Sequence, residues 1–282
     1  MSKYPDKVYL NGEILPSEMA QVSVFDRGFI FGDGIYEAMA QINGAFFYEE
    51  AHLSRLEEGL AKIGIQYDVS RIPKEINRLL QATGLIGKDC FLYIQITRGV
   101  APRQHSFPRD IDPTVFMYAL PKVLPDINTI HAKVITSEDF RWSRCDIKMT
   151  SLLGNVMLNE EAMQHECFET VLCRNGVVTE ASHCNVFFVK DNMVYTHPAN
   201  EYILNGITRL VVIQLCGELG LELKEEAIGV DEIYQMDEAF LTGTSTQIAS
   251  IQQINDHYYY TDSTVGPITQ KLQRAFHRLK DN

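Results

Sequence analysis

The stretch Pro121-Lys122-Val123-Leu124-Pro125-Asp126-Ile127-Asn128 separates two differently patterned parts of the chain. It holds two prolines, shows little hydrophobic periodicity and lies between two strand-like runs, so it reads as a linker. A chain of 282 residues suits two domains of ordinary size. The expected division is a smaller N-terminal domain over 1–120, the linker at 121–128 and a larger C-terminal domain over 129–282. On the N-terminal side, Phe91–Thr97 and Thr114–Leu120 are β-rich apolar runs. Asn11-Gly12 and Asn43-Gly44 mark tight hairpins, since both residue types tolerate positive φ. One helix is predicted over Glu50–Ile63, where Leu53, Leu56, Leu60 and Ile63 form a stripe ahead of Gly64. On the C-terminal side, His131–Thr136 reads as a strand. Leu152, Leu153, Val156 and Met157 follow Met149 at the spacing of an amphipathic helix. Three hairpin-like strands are then expected, turning at Asn175-Gly176 and Asp191-Asn192. Next come a helix over Ile207–Leu219 and a strand ending at Leu241-Thr242-Gly243-Thr244. A last helix carries Ile268, Leu272, Ala275, Phe276 and Leu279 on one face. Strands and helices mixed without strict alternation define an α+β class.

Composition narrows the partners. Apolar residues make up 45% and charged residues 22%, the balance of a globular protein. The net charge of −12, with basic residues scattered, disfavours nucleic acid. No run approaches the ~20 apolar residues that cross a bilayer, and Met1–Tyr9 lacks the apolar core of a signal peptide. Cysteines 90, 145, 167, 173, 184 and 216 form no C-x-x-C pair and no metal-ligand spacing, so no metal is expected. They read as reduced core residues, and the chain as cytoplasmic.

Five places carry candidate chemistry. Lys148 lies in Cys145-Asp146-Ile147-Lys148-Met149-Thr150, just ahead of an apolar helix. Partial desolvation there makes a lysine amine a nucleophile toward aldehydes, although an ordinary lysine with its head in water fits the same position. Glu180, in Val178-Thr179-Glu180-Ala181-Ser182-His183-Cys184-Asn185, precedes a buried strand and needs a partner such as a protonated pyridine nitrogen, unless it faces water. Arg55, the helix start Gly206-Ile207-Thr208 and the strand end Gly243-Thr244-Ser245 are each able to grip a phosphate. Arg103 and His105 share a proline-stiffened loop suited to binding a carboxylate or simply to contacting solvent. Tyr36 follows the glycines of Phe31-Gly32-Asp33-Gly34-Ile35-Tyr36-Glu37. No Walker loop and no G-x-G-x-x-G is present, which turns the reading away from nucleotides.

The ordered set of these motifs resembles the fold-type IV pyridoxal-phosphate aminotransferases. It comprises Asp26-Arg27-Gly28…Phe31-Gly32-Asp33-Gly34-Ile35-Tyr36-Glu37, His52-x-x-Arg55-Leu56, Asp146-Ile147-Lys148, Asn155, Thr179-Glu180, Ser182…Asn185-Val186-Phe187, Gly206-Ile207-Thr208-Arg209 and Gly243-Thr244. The loop Pro102-Arg103-x-His105 is similar to the carboxylate trap of that family's D-amino-acid branch. The resemblance implies a two-domain α+β fold with pyridoxal 5'-phosphate at the domain interface. It implies ping-pong transamination between a D-amino acid of the D-alanine type and a 2-oxo acid of the 2-oxoglutarate type. Lys148, in the larger domain, would form the Schiff base and shuttle the proton, and Glu180 would pair with the ring nitrogen. Arg55, Ile207, Thr208, Gly243 and Thr244 would hold the phosphate, and Leu204 would pack near the ring. Tyr36, Arg103 and His105 would bind the substrate carboxylate, the last two reaching in from the other subunit of a homodimer. Two places depart from the D-amino-acid pattern: Gly243 replaces a hydroxyl residue, as in the branched-chain branch, and Ser182-His183-Cys184 replaces a run of serines. An L-branched-chain aminotransferase and an aminodeoxychorismate lyase are the rival activities on this fold.

Overall fold

Glycine and asparagine at the hairpin corners, with apolar residues at every second position between them, produce the first sheet. The computed structural model describes residues 4–281. In chain order the first part runs β1 (Lys7–Leu10), β2 (Glu13–Pro16), α1 (Arg27–Phe31), β3 (Gly34–Ile42) and β4 (Ala45–Phe46). It continues with α2 (Glu49–Lys62), α3 (Ile72–Thr83), β5 (Cys90–Thr97) and β6 (Thr114–Pro121). The turns between β1 and β2 and between β3 and β4 have φ of +48° and +98° at Asn11 and Gly12, and +50° and +86° at Asn43 and Gly44. Both central residues therefore occupy the positive-φ region that matches the twist of a two-residue hairpin. The strands form an antiparallel sheet in the order β2-β1-β6-β5-β3-β4. One face, carrying Ile35, Met39, Leu92, Ile94, Val115 and Met117, packs with Leu56 and Leu60 of α2 and Ile72, Ile76, Leu79 and Leu80 of α3.

The second part contains β7 (His131–Glu138), α4 (Leu153–Gln164), β8 (Glu169–Arg174), β9 (Val177–Ala181), β10 (Asn185–Lys190) and β11 (Met193–Thr196). It closes with α5 (Ile207–Glu218), β12 (Leu223–Glu225), β13 (Glu238–Gly243), β14 (Gln247–Ile254), β15 (His257–Tyr258) and α6 (Pro267–Asp281). Its sheet follows the order β12-β11-β10-β13-β14-β7-β8-β9, with β15 paired to β14. The β11–β12, β7–β14 and β7–β8 pairs are parallel and the others antiparallel, so this sheet is mixed. Strands such as Asn185–Lys190 are apolar on both sides because both sheet faces are covered.

Contacts divide the chain into one unit ending at Val123 and a second beginning at Leu124. Residues Ile147–Ser151 cluster with the first unit. Lys148 therefore packs with the smaller part and not, as its place in the sequence suggested, with the larger one. The cause is local pairing: Tyr36 N–H donates to Lys148 O at 3.0 Å, Thr150 N–H to Gly34 O at 3.0 Å, and Ile35 bridges Met149.

Four other expectations change. The first part has a second long helix, α3, whose Ile72-Ile76-Leu79-Leu80 spacing and Pro at the first turn are regular helix signals. Four strands, not three, occupy 169–196, and β14 was not anticipated. The stripe Leu153, Val156, Met157 of α4 is exposed at 72%, 59% and 54% in the single chain, while Leu158 and Ala162 are the buried positions. Periodicity located the helix but chose the wrong face, because it does not distinguish a face turned to the chain's own core from one left for a partner.

Candidate active site

In the first unit the site begins with the alternation of β3. Ile35, Glu37 and Met39 all point to the core side and are fully buried. A carboxylate in that register must be met by donors, and α2 supplies two at i and i+3. His52 Nδ1 lies 2.8 Å from Glu37 Oε2, and Arg55 donates from Nε to Oε1 at 2.7 Å and from Nη2 to Oε2 at 3.0 Å. Burial alone would raise the Glu37 carboxyl. The Arg55 charge, bonds from His52 and Arg55, and the Lys148 charge outweigh it and hold the group down at about 2. Burial also pushes the His52 imidazole down, against the bond to Glu37. On the opposite face of β3, Tyr36 lies under Lys148, with Nζ 4.1 Å from the ring centroid. Lys148, Tyr36, Glu37 and Arg55 are thus gathered within one unit. Glu37 and His52 lay inside quoted motifs without a role. The signal that would have identified Glu37 is its charge at a core position of a period-two strand.

The same unit carries Arg103 and His105 on the connection between β5 and β6, both exposed. The Arg103 guanidinium lies 5.3 Å from the Phe31 ring centroid and the His105 ring 5.8 Å from it. The two side chains share one aromatic neighbour.

In the second unit the organising group is Glu180, 5% exposed. Arg141 Nη1 donates to its Oε1 at 2.7 Å, while Asn185 Nδ2 and Leu204 N–H both donate to Oε2 at 3.0 Å. Burial pushes the carboxyl up to about 7 despite the Arg141 charge and these bonds. Arg141 is itself held by Asp139, with Nε to Oδ1 at 2.9 Å and Nη2 to Oδ2 at 3.0 Å, and Arg174 adds an ion pair to Asp139 at 3.1 Å. The bond from Arg141 to Glu180, 39 positions away, has no local sequence signature. Asn185 also donates to Leu204 O at 2.8 Å. A Cβ on Gly206 would lie 2.2 Å from Asn185 Oδ1, so glycine is required there by close approach. Helix α5 starts at Ile207 with no side-chain cap, which leaves the first N–H groups of Ile207 and Thr208 for an anion. The register Asn185↔Thr242 sets Gly243 and Thr244 at the adjacent strand end. Glu180, Leu204, Ile207, Thr208, Gly243 and Thr244 are thereby tied together through Asn185.

The two departures touch at one point: a Cβ at Gly243 would lie 3.3 Å from Cys184 Sγ, a tight contact for a side chain there. Next to it, buried Glu169 accepts from Thr170 N at 2.8 Å, Ser182 N at 3.1 Å, His183 N at 3.2 Å and the Ser182 hydroxyl, and pairs with His183 Nδ1 at 2.6 Å. Donor atoms of Glu169, His183 and Cys184 lie within 4.8 Å of one another. The carboxylate is already occupied closing the β9–β10 turn, which is a structural role.

Among the described residues no helix is long and apolar enough to cross a membrane. The amino-transferase class IV family matches residues 34–254, and the chain belongs to that family. The chain is 39% identical over 272 residues to the D-alanine aminotransferase of Bacillus licheniformis, with 95% of each covered. It is 38% identical over 277 residues to the D-alanine aminotransferase of Staphylococcus aureus strain MSSA476, with 97% of each covered. The branched-chain amino acid aminotransferase of Thermobaculum terrenum, solved in its PLP-form, superposes with a TM-score of 0.85 at 26% identity, over 99% of this chain and 95% of that one. The α+β expectation holds, and the protein is an aminotransferase.

Two outcomes follow from the buried carboxylates. Glu37 is lowered from an ordinary 4.5 to about 2, so its contribution is present above pH 4.5 and lost as pH falls toward 2. Urea unfolding of the protein and of Glu37→Gln should show a stability gap at pH 6 of roughly 3 kcal/mol that closes on acidification. Arg141→Met leaves Asp139 and Glu180 without their shared cation, and the same measurement at pH 7.5 should show a loss of about 3–5 kcal/mol.

Proposed function

We propose that this aminotransferase uses pyridoxal 5'-phosphate to exchange amino groups between a D-amino acid of the D-alanine type and a 2-oxo acid of the 2-oxoglutarate type. When bound, the cofactor supplies an aldehyde for the amino group and a protonated ring that draws electrons from the substrate Cα. The residues present fit it. Lys148 provides an amine beside the Tyr36 ring, Glu180 a buried carboxylate with donors already in place, and α5 an uncapped helix start.

Lys148 would be the amine that holds the cofactor's aldehyde and, once free, the base that moves the proton at the substrate Cα. Glu180 keeps a proton on the ring nitrogen. Arg141 and the Leu204 N–H fix the carboxylate's direction, and Leu204 packs beside the ring. Arg55 and the N–H groups of Ile207 and Thr208 hold the phosphate, with the backbone at Gly243 and the Thr244 hydroxyl. Glu37 and His52 keep Arg55 in one orientation. Tyr36, Arg103 and His105 take the substrate carboxylate. With Lys148 on a fixed face, the side on which the carboxylate is gripped decides which enantiomer presents its Cα–H.

The observation that carries the D-amino-acid reading is that Arg103 and His105 both lie beside the Phe31 ring, the guanidinium 5.3 Å and the tilted imidazole ring 5.8 Å from its centroid, and likeness to D-alanine aminotransferases along 95% of the chain supports it. The chain acts as a homodimer in which Arg103 and His105 enter the partner's site. The exposed apolar residues Leu153, Val156 and Met157 support such an association. Six free cysteines fit a cytoplasmic setting.

Purified holoenzyme should convert D-alanine with 2-oxoglutarate and leave L-leucine essentially untouched, and borohydride should label Lys148 alone. Arg103→Leu should lower kcat/KM for D-alanine by about 100-fold, as loss of a charge-assisted carboxylate contact implies, with the bound cofactor's absorbance retained. Turnover of L-leucine in preference to D-alanine, or a label on another lysine, refutes the reading.

A further inference from the structure

The motif Asp26-Arg27-Gly28…Phe31-Gly32-Asp33 has no part in the chemistry above, yet most of the fixed points of the Arg103/His105 loop come from it. Arg27 is 3% exposed. Its Nε donates to Asp33 Oδ2 at 2.7 Å, and its Nη1 donates at 2.7 Å to the carbonyl of Gln104, the residue between Arg103 and His105. Its guanidinium also lies 4.7 Å from the centroid of Phe31, the ring that Arg103 and His105 share.

The loop base is closed by the same segment. Arg27 N–H donates to Gly99 O at 2.9 Å, Ala101 N–H to Phe25 O at 3.3 Å, and Asp26 bridges Val100. Gly99 has φ +104° and a Cβ there would lie 2.0 Å from Asp112 O, so the two ends of the loop meet at this glycine. Asp33 in turn is shared with Arg98, which donates to it from Nε at 2.8 Å and from Nη2 at 3.0 Å and covers the Phe107 ring at 3.6 Å. One largely covered carboxylate, its side chain 10% exposed, thus aims two guanidiniums at two points of one loop. The planar fork of arginine is what allows Asp33 and the Gln104 carbonyl to be held at once, and a lysine ammonium does not reproduce it.

We propose that Arg27, aimed by Asp33 and stacked on Phe31, is a positioning residue that sets where Arg103 and His105 meet the substrate carboxylate. This rests on the reading of that loop as the carboxylate grip of the partner's site. Arg27 therefore acts on the active site of the subunit opposite its own. A residue that fixes a binding group affects the capture of both substrates, because D-alanine and 2-oxoglutarate present the same α-carboxylate.

The test uses holoenzyme with Arg27→Lys, which keeps the charge, and Phe31→Leu, which keeps the ion pairs and removes the platform. Each should raise KM for D-alanine and for 2-oxoglutarate about tenfold with kcat within about threefold, the pattern of lost binding rather than lost chemistry. The bound cofactor's absorbance should stay unchanged. Unchanged KM in both variants overturns the proposal, as does loss of cofactor.

Hybrid dimers purified through two different tags separate this claim from the reading beneath it. Paired with Lys148→Ala, both Arg27→Lys and Arg103→Leu should recover a wild-type KM at the one competent site, which draws its loop from the Lys148→Ala subunit. If the Arg103→Leu hybrid stays impaired, the loop serves its own subunit and the trans reading fails. If the Arg103→Leu hybrid recovers and the Arg27→Lys hybrid does not, Arg27 does not act through the loop and the proposal fails alone.

Discussion

A carboxylate taken out of water holds its charge only where cations and N–H groups replace the hydration it lost. Glu180 meets that requirement with one guanidinium, one amide and one backbone N–H, and much of the second unit's site follows from it. Leu204 is fixed because its N–H is one of the donors. Asn185 is fixed because it bridges Glu180 and Leu204, and Gly206 is glycine because Asn185 occupies the space of its Cβ. The start of α5, and with it the N–H groups of Ile207 and Thr208, is placed by the same contacts. Arg141 answers to a second buried carboxylate, Asp139, so the network alternates in charge and leaves neither sign isolated.

The first unit repeats the principle with a different balance. Glu37 and Glu180 are both buried, yet their carboxyls move in opposite directions from the same ordinary 4.5, to about 2 and about 7. Two bonds from Arg55, a bond from His52 and the nearby Lys148 charge outweigh burial at Glu37. At Glu180 the single arginine is also committed to Asp139, whose negative charge adds to burial. The ionised Glu37 carboxylate serves as a fixed anchor for Arg55. The sequence letter is the same and the role is set by its neighbours.

Fold likeness and sequence likeness speak to different levels of the function. Branched-chain amino acid aminotransferases superpose on this chain along nearly its full length, as the Thermobaculum terrenum enzyme does with a TM-score of 0.85. The relatives at 38–39% identity are D-alanine aminotransferases. In this chain Lys148 lies on a segment paired to β3 and Glu180 is bonded to Leu204, just ahead of α5. A fold shared at this level does not choose a substrate; side chains grafted on it do.

By itself the sequence determined what depends on neighbours along the chain. The Asn-Gly hairpins, the helix over residues 49–62, the uncapped glycine start of α5 and the break near residue 123 all follow from local backbone preference and short-range periodicity. The motif order was enough to indicate a family, with Lys148 and Glu180 at its centre. Tertiary structure alone decided what depends on residues far apart. Arg141 meets Glu180 and Arg27 meets Gln104 only because sheet topology brings distant segments together, and no spacing rule encodes that. Lys148 packs with the first unit because β3 has a backbone edge for it to pair with, although 27 positions of chain separate it from Pro121, the residue that ends β6. The apolar stripe of α4 remained on the outside because periodicity reports that a face is apolar and not what will cover it.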